Sequence, residues 1–382
     1  MSEVTKFVGL DVHKETIVVA VADRTGGEAR TVGTFKNEPR VVAKLVKQLG
    51  RAEELHCCYE AGPTGYGLHR QLSRLGATCW VIVPTLIPTK PGDKVKTDRR
   101  DALKLARLLR SGELTACWVP TEAYEAFRNL TRERSAASQD QRRARQRLGQ
   151  LLLRLGVAPA ARMTRWGPRH RAWLQGLRLE QPMNQDVLGS QLRALDQATE
   201  RLAGLTEAVA AAAAASEFAT LIKALACLYG VGLVTAATEV AEIGDFRRFA
   251  GPRSLFNYLG MTPREDSSGP RVRRGSITKA GNRHARWVLI EAAWHFTHPP
   301  KVGRELAKRR AGQDPAIIAI ADRAHARLYR RYWRLIKRGK LSQQAVVAVA
   351  RELAGFLWAI AWELARLEAE RRTAAAAEVA VA

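Results

Sequence analysis

Three short apolar segments precede the first helical repeat of this chain, and that order restricts the folds open to its N-terminal third. Phe7-Val8-Gly9-Leu10-Asp11 is an apolar run closed by an acid, and residues 16–22 are rich in β-branched side chains. Arg24-Thr25-Gly26-Gly27 reads as a hairpin turn, and a third strand is expected over 29–35. The opening is therefore an antiparallel meander with Asp11 on its first strand. Val42, Leu45, Val46 and Leu49 recur at helical spacing, so a helix covers 41–49. A strand over 55–59 ends at Glu60, a Gly/Pro turn leads into a helix over 66–75, and a strand over 77–83 stops at Pro84. A loop rich in Pro, Lys and Gly then leads to a helix that begins at Asp98.

In Lys96-Thr97-Asp98-Arg99-Arg100-Asp101-Ala102, two carboxylates stand three residues apart and so share one helix face. Alone, such a pair is more often a cap or a partner of the helix dipole. Asp11 and Glu60, each closing a strand, could equally be solvated ends. Four acids placed in this order are better explained by convergence. Asp11, Glu60, Asp98 and Asp101 would repel one another unless cations sat between them. Mg²⁺, which takes a few carboxylate oxygens and keeps its waters, suits such a site, with Mn²⁺ as a substitute. Two ions so held support phosphodiester cleavage.

Charge points to the same class of substrate. The 382 residues carry 62 Lys and Arg against 37 Asp and Glu, a net charge of +25, which favours a polyanionic partner. Residues 217–382 hold 28 basic against 15 acidic side chains, so the load lies toward the C-terminus. No window reads as a membrane-spanning helix of 18 or more apolar residues, and Met1-Ser2-Glu3-Val4-Thr5-Lys6 does not resemble a signal peptide. The five cysteines include no C-x-x-C pair, which argues against zinc and against a disulfide framework. The expected setting is the reducing cytoplasm of a bacterium or archaeon, with action at the nucleoid and no membrane partner.

The β-β-β-α-β-α-β-α order with acids at strand ends resembles a ribonuclease-H-like domain. Gly9-Leu10-Asp11-Val12-His13-Lys14, Tyr59-Glu60-Ala61-Gly62-Pro63-Thr64-Gly65 and the Asp98 stretch are similar to the signatures of the DEDD insertion-sequence transposases, whose N-terminal domain resembles the RuvC junction resolvase. The resemblance covers residues 5 to about 120 and resumes over about 220 to 300. It implies an α/β RuvC-like catalytic domain over 1–119, then a long helical or coiled-coil spacer over 120–216. A mainly α transposase domain over 217–340 and a C-terminal helix with a frayed tail over 341–382 follow.

The spacer contains fifteen Arg and no Lys between 121 and 216. A heptad reading places Phe127, Arg134, Gln141, Leu148 and Leu155 on one seam and Leu130, Ala137, Ala144 and Leu151 on the other. The polar middle of that seam fits a weak coiled coil, a helix crossing nucleic acid, or a charged helix within an intramolecular hairpin. The second helical run, over 186–215, could return antiparallel to the first.

Leu228-Tyr229-Gly230-Val231-Gly232-Leu233 has the spacing of a helix-hairpin-helix turn, in which Gly230 and Gly232 would let backbone N–H groups approach a DNA phosphate; a plain helix turn is the alternative. A flexible basic loop follows, containing Ser267, Ser268, Arg271, Arg273, Arg274 and Lys279. In the resembled family a serine in a P-R-x-x-x-S-G context is the nucleophile, which implies Ser268, with Ser267 as its rival. Arg271, Arg273 and Arg274 would neutralise charge on the attacked phosphate. Farther on, Arg330, Arg331 and Arg334 are interleaved with Tyr329, Tyr332 and Trp333, a pattern that suits phosphates and unpaired bases or, at helical spacing, a core.

The resemblance implies a transposase or recombinase that cleaves and exchanges double-stranded DNA, donor and target alike. It further implies a structured guide RNA, or bridge RNA, that chooses the sequences. It also implies a homodimer or homotetramer in which one subunit's metal site can meet another's serine. Two other classes compete. A Holliday-junction-type nuclease would use the four acids and water without Ser268. An actin-like ATPase would want glycine soon after Asp11, where Val12-His13-Lys14 stand. A purely structural nucleic-acid binder leaves the four acids unexplained.

Overall fold

The computed structural model describes residues 3–89, 97–159, 162–267 and 273–381. They form two compact units, Met1–Pro120 and Thr121–Ala382.

The first unit is built on a mixed five-stranded sheet of order β3-β2-β1-β4-β5. Its strands are β1 (Lys6–Val12), β2 (Thr16–Asp23), β3 (Arg30–Lys36), β4 (Leu55–Glu60) and β5 (Thr78–Ile82). The first three pair antiparallel, whereas β4 runs parallel to both β1 and β5. Helices α1 (Pro39–Leu49), α2 (Gly67–Arg74) and α3 (Asp98–Arg110) complete it. Alternation along the strands separates two cores. Val8, Leu10, Cys57 and Tyr59 join Val42, Leu45, Val46 and Leu49 of α1 and Leu72 of α2 on one face. On the other, Val18, Ala20 and Ala22 meet Ala102 and Ala106, while Cys58 and Ile82 meet Leu105 and Leu109.

Contact between α3 and the sheet depends on small residues. A Cβ at Gly9 would lie 2.2 Å from the Ala102 carbonyl oxygen and 2.5 Å from the Ala106 nitrogen. With no side chain at Gly9 and only methyl groups at Ala102 and Ala106, α3 seats directly on β1. The loop before it includes residues 90–96, which lie outside the described residues, so Lys96 of the motif is not placed.

Among its described residues, the second unit is helical apart from one hairpin. Its elements are α4 (Glu122–Arg154), α5 (Pro168–Gly176), α6 (Pro182–Ala215), α7 (Ala219–Leu225), α8 (Leu233–Ile243), α9 (Pro252–Tyr258), β6 (Pro263–Glu265), β7 (Arg274–Ile277), α10 (Arg283–Ala293), α11 (Arg304–Arg310), α12 (Pro315–Lys337) and α13 (Ser342–Val381). The polar seam of α4 faces α6 of the same chain. Arg134 Nε donates to Thr206 Oγ1 at 3.2 Å, Gln141 Nε2 donates to Thr199 Oγ1 at 3.1 Å, and Arg201 bonds Glu133 and Asp140. As positions rise along α4 they fall along α6, so the two form an antiparallel intramolecular hairpin.

Two sequence expectations differ from this unit. The basic segment read as a flexible loop is pinned into a short antiparallel hairpin, β6 against β7, because its base is closed by backbone bonds such as Thr278 N–H to Thr262 O at 2.8 Å. The chain does contain a helix long and apolar enough to cross a membrane, Ser342–Ala376 of α13, but half of that helix's most apolar window is buried within the protein. Its Val346, Val349, Leu353, Leu357 and Ile360 belong to the core shared with α8, α10 and α12, so burial in the core explains the apolar run. Helix α13 runs through Val381.

Candidate active site

Three elements bring the acids to one end of the sheet. Strands β1 and β4 pair in parallel as far as Leu10 and Tyr59, so Asp11 and Glu60 each stand one residue beyond the last pair. By alternation both side chains take the face opposite Leu10 and Tyr59, which is the α3 face. Cys58, two residues before Glu60, lies on that face with its thiol 3.8 Å from the Leu105 carbonyl oxygen. Helix α3 begins at Asp98, and its first turn holds both Asp98 and Asp101, where the helix dipole favours negative charge. Thr97 caps it, its hydroxyl accepting from the Arg100 N–H at 3.3 Å.

Asp11 and Asp98 meet around a residue that the sequence reading passed over. His13 Nε2 lies 3.5 Å from Asp11 Oδ2 and 3.4 Å from Asp98 Oδ2. The three donor atoms all fall within 4.8 Å of one another. Partial burial, with the neighbouring charges of Asp98 and Asp101, pushes the Asp11 carboxyl above its ordinary value, while His13 pulls it back. Asp101 is thus near enough to act on Asp11 electrostatically. Glu60 shares the strand register and the face, but it lies outside the group that falls within 4.8 Å. The signal for His13 was a histidine two residues after a strand-closing acid. Asp11 and Asp98 supply hard oxygen donors and His13 a nitrogen, a set that suits a divalent cation.

The second unit carries the serine hairpin. Ser268 and Arg271 lie outside the described residues, as does the side chain of Arg274. Ser267 Oγ donates to Glu265 Oε1 at 3.1 Å and accepts from the Arg273 N–H at 3.2 Å. Arg273 and Lys279 are exposed. Two glycines close the base of the hairpin. A Cβ at Gly260 would sit 2.3 Å from the Ala280 carbonyl oxygen, and one at Gly281 would sit 2.1 Å from that of Tyr258. Lys279 takes a left-handed backbone, φ 58°, there, with its N–H on Gly260 O at 2.9 Å.

Beneath that base lies a buried polar group absent from the sequence reading. Asn282 caps α10, its Oδ1 accepting from the N–H groups of His284 and Ala285, and its Nδ2 donates to Glu242 Oε2 at 2.7 Å. Arg132 of α4 holds both oxygens of Glu242, at 2.6 and 2.9 Å. Burial opposes charge on Glu242, yet these hydrogen bonds keep its carboxyl below the ordinary value. Glu239, one turn earlier on α8, is fully buried with neither oxygen hydrogen-bonded, and burial pushes its carboxyl well up. Two acids three residues apart in the otherwise uncharged 233–243 stretch were the available signal.

Gly230 and Gly232 sit between α7 and α8. At Gly230, φ 74°, a Cβ would come 2.8 Å from the Ala292 carbonyl oxygen, so packing alone requires glycine there. Gly232 precedes α8 with nothing within 4 Å of a Cβ. On α12, Arg330 and Arg334 are exposed and line a shallow groove with Tyr329, Trp333, Lys337 and Arg338. Arg331 is turned toward Glu352 at 3.2 Å. Tyr332 is core, whereas Trp333 is 40% exposed, its indole N–H on Thr297 O at 3.1 Å.

A mixed sheet of this order, with acids at the ends of its two central parallel strands and on the helix that crosses them, is compatible with the ribonuclease-H-like domains that act on phosphodiesters. Residues 8–156 match the family model of the DEDD transposases of the IS110 kind, and residues 222–307 match that described as the transposase IS116/IS110/IS902 family. The transposase-related protein y4qE of Sinorhizobium fredii is 42% identical over 94% of this chain and 88% of its own length. The transposase for insertion sequence element IS1533 of Leptospira borgpetersenii is 32% identical over 88% of this chain and 98% of its own length. The chain belongs to the IS110/IS116 family of DEDD-type transposases. It is a DNA transposase, an enzyme that binds DNA and uses divalent metal.

Proposed function

We propose that this transposase cleaves and exchanges DNA strands with two separate sets of residues, the acids Asp11, Glu60, Asp98 and Asp101 and the nucleophile Ser268. The observation that carries the first set is the meeting of Asp11 and Asp98 at the end of β1, with Asp101 and Glu60 on the same face. Mg²⁺, with Mn²⁺ as a substitute, would supply charge neutralisation at the scissile phosphate when bound. The four carboxylates would hold and orient it, and α3 sets the height of Asp98 and Asp101 above β1 because it rests directly on Gly9.

Ser268 is favoured over Ser267 by the P-R-x-x-x-S-G match and by what Ser267 does. The Ser267 hydroxyl is committed to Glu265 and to the Arg273 N–H, which suits a residue that shapes the hairpin tip. In the cleavage step the Ser268 oxygen bonds to phosphorus as its proton passes to water, and the bond from phosphorus to the leaving sugar oxygen breaks as that oxygen takes a proton from water. Arg271, Arg273 and Arg274 stabilise the charge on the phosphoryl oxygens. Arg330, Arg331 and Arg334, with Lys279 and the Gly230–Gly232 turn, bind nucleic-acid backbone. A structured guide RNA selects the DNA, and the enzyme works as a dimer or tetramer; the family resemblance is what supports both, and the exposed cations of α12 support an RNA or DNA ligand.

Trapping the covalent species tests this reading. Wild-type protein reacted with labelled DNA, denatured and digested, should yield an adduct on the peptide containing Ser268. Ser268→Ala should bind nucleic acid normally and yield none, while Ser267→Ala should retain it. Cleavage without any adduct would favour the junction-nuclease chemistry of metal and water.

A further inference from the structure

His13 is the nitrogen donor that faces both Asp11 and Asp98. Its backbone is fixed on both sides: its N–H donates to Thr16 O at 2.8 Å, and its carbonyl accepts from Asn37 Nδ2 at 2.8 Å. The β1–β2 turn therefore presents the imidazole at the end of the sheet where Asp11 and Asp98 meet. One ring nitrogen, Nε2, is the point common to both carboxylates, at 3.5 and 3.4 Å. Ligands roughly 2.1 Å from a shared ion are about 3.0 Å apart when adjacent and about 4.2 Å apart when opposite, and both observed separations fall in that interval.

We propose that His13 is a nitrogen ligand of the metal centre and strengthens its hold on first-row transition dications such as Mn²⁺ beyond what the carboxylates alone supply. This rests on the reading that Asp11 and Asp98 hold a divalent ion. Mg²⁺ favours an all-oxygen octahedral shell, whereas imidazole strengthens binding of the softer transition ions. A donor set of two carboxylates and one imidazole therefore raises affinity for Mn²⁺ or Co²⁺ more than for Mg²⁺. His13 also stands in the turn that joins β1 to β2, so ion binding would tie that turn to the start of α3.

Mn²⁺ serves as the probe. Pulsed electron paramagnetic resonance on the full-length protein loaded with Mn²⁺ should show hyperfine coupling to an imidazole nitrogen, and His13→Ala should abolish it. Titration should show Mn²⁺ affinity falling on the order of tenfold or more in His13→Ala, with Mg²⁺ affinity nearly unchanged. Bound Mn²⁺ without nitrogen coupling in the wild type overturns the assignment of His13 while leaving the carboxylate site intact. An equal loss of Mn²⁺ and Mg²⁺ affinity overturns the metal preference. If wild type binds neither ion, or Asp11→Asn and Asp98→Asn bind both normally, the underlying metal-site reading fails as well.

Discussion

Gly9 on β1 and Ala102 on α3 approach so closely that a Cβ on Gly9 would lie 2.2 Å from the Ala102 carbonyl oxygen. That contact sets the height of α3 above the sheet, and so the distance between Asp11, two residues along β1, and Asp98, one turn back along α3. Gly9→Ala should therefore displace α3 and cost about 2 kcal/mol or more of stability. Thermal unfolding with and without Mn²⁺ checks it: the variant should unfold at lower temperature and lose most of the metal-induced stabilisation. A variant that keeps the full stabilisation would separate α3 packing from the acidic site.

Replacing acids by amides should leave the fold intact and remove the chemistry. Asp11→Asn and Asp98→Asn should each slow strand cleavage on the order of a hundredfold or more, because metal neutralisation is worth several kcal/mol in the transition state. Asp11 carries a carboxyl raised by burial and by Asp98 and Asp101, so the amide relieves repulsion. Without metal, near neutral pH, Asp11→Asn should melt no lower than wild type. Single-turnover cleavage and calorimetry measure the two effects separately.

Glu239 and Glu242 should give opposite pH signatures. Glu239 binds its proton more tightly in the folded state, so its contribution is complete below the unfolded value of 4.5 and is lost as pH rises toward the higher folded value. Glu242 is held below its ordinary value, so its contribution is present above 4.5 and is lost as pH falls through the folded value. Glu239→Gln should thus gain stability relative to wild type from pH 5 to pH 8 (~3 units), since the amide needs no proton on folding. Denaturant unfolding across that range checks the sign; a gap that narrows as pH rises would contradict it.

Asn282 caps α10 and also holds Glu242. Asn282→Ala removes both roles and should cost about 2 kcal/mol by denaturant unfolding. On α12, Arg330 and Arg334 are exposed to solvent beside Trp333. If both meet phosphates, the double alanine variant should lower the dependence of log affinity on log salt by about 2. An unchanged slope would move the nucleic-acid surface elsewhere.

The frame that carries the four acids was legible because its signals are local. Strand-closing acids, the spacing of Val42, Leu45, Val46 and Leu49, and the Asp98–Asp101 interval each report their own element, and the structure has all of those elements. What sequence could not reveal depends on partners far along the chain. Arg134 and Gln141 read as an ambiguous seam because Thr206 and Thr199, which satisfy them, lie on α6. The basic segment after Pro263 read as a flexible loop because its closure rests on Gly260 and Gly281 meeting Ala280 and Tyr258. His13 was overlooked because its place between Asp11 and Asp98 appears only when the turn folds.

Metal-directed backbone scission offers the most direct test of the acidic centre. With Fe²⁺ bound in place of the native ion and ascorbate added, the full-length protein should be cut near Asp11, Glu60 and the Asp98–Asp101 turn, and excess Mg²⁺ should suppress every cut. Asp11→Asn and Asp98→Asn should lose them. Cuts concentrated in the Thr121–Ala382 unit, or cuts near Asp11 that persist in both variants and in excess Mg²⁺, would contradict a divalent metal centre on these carboxylates.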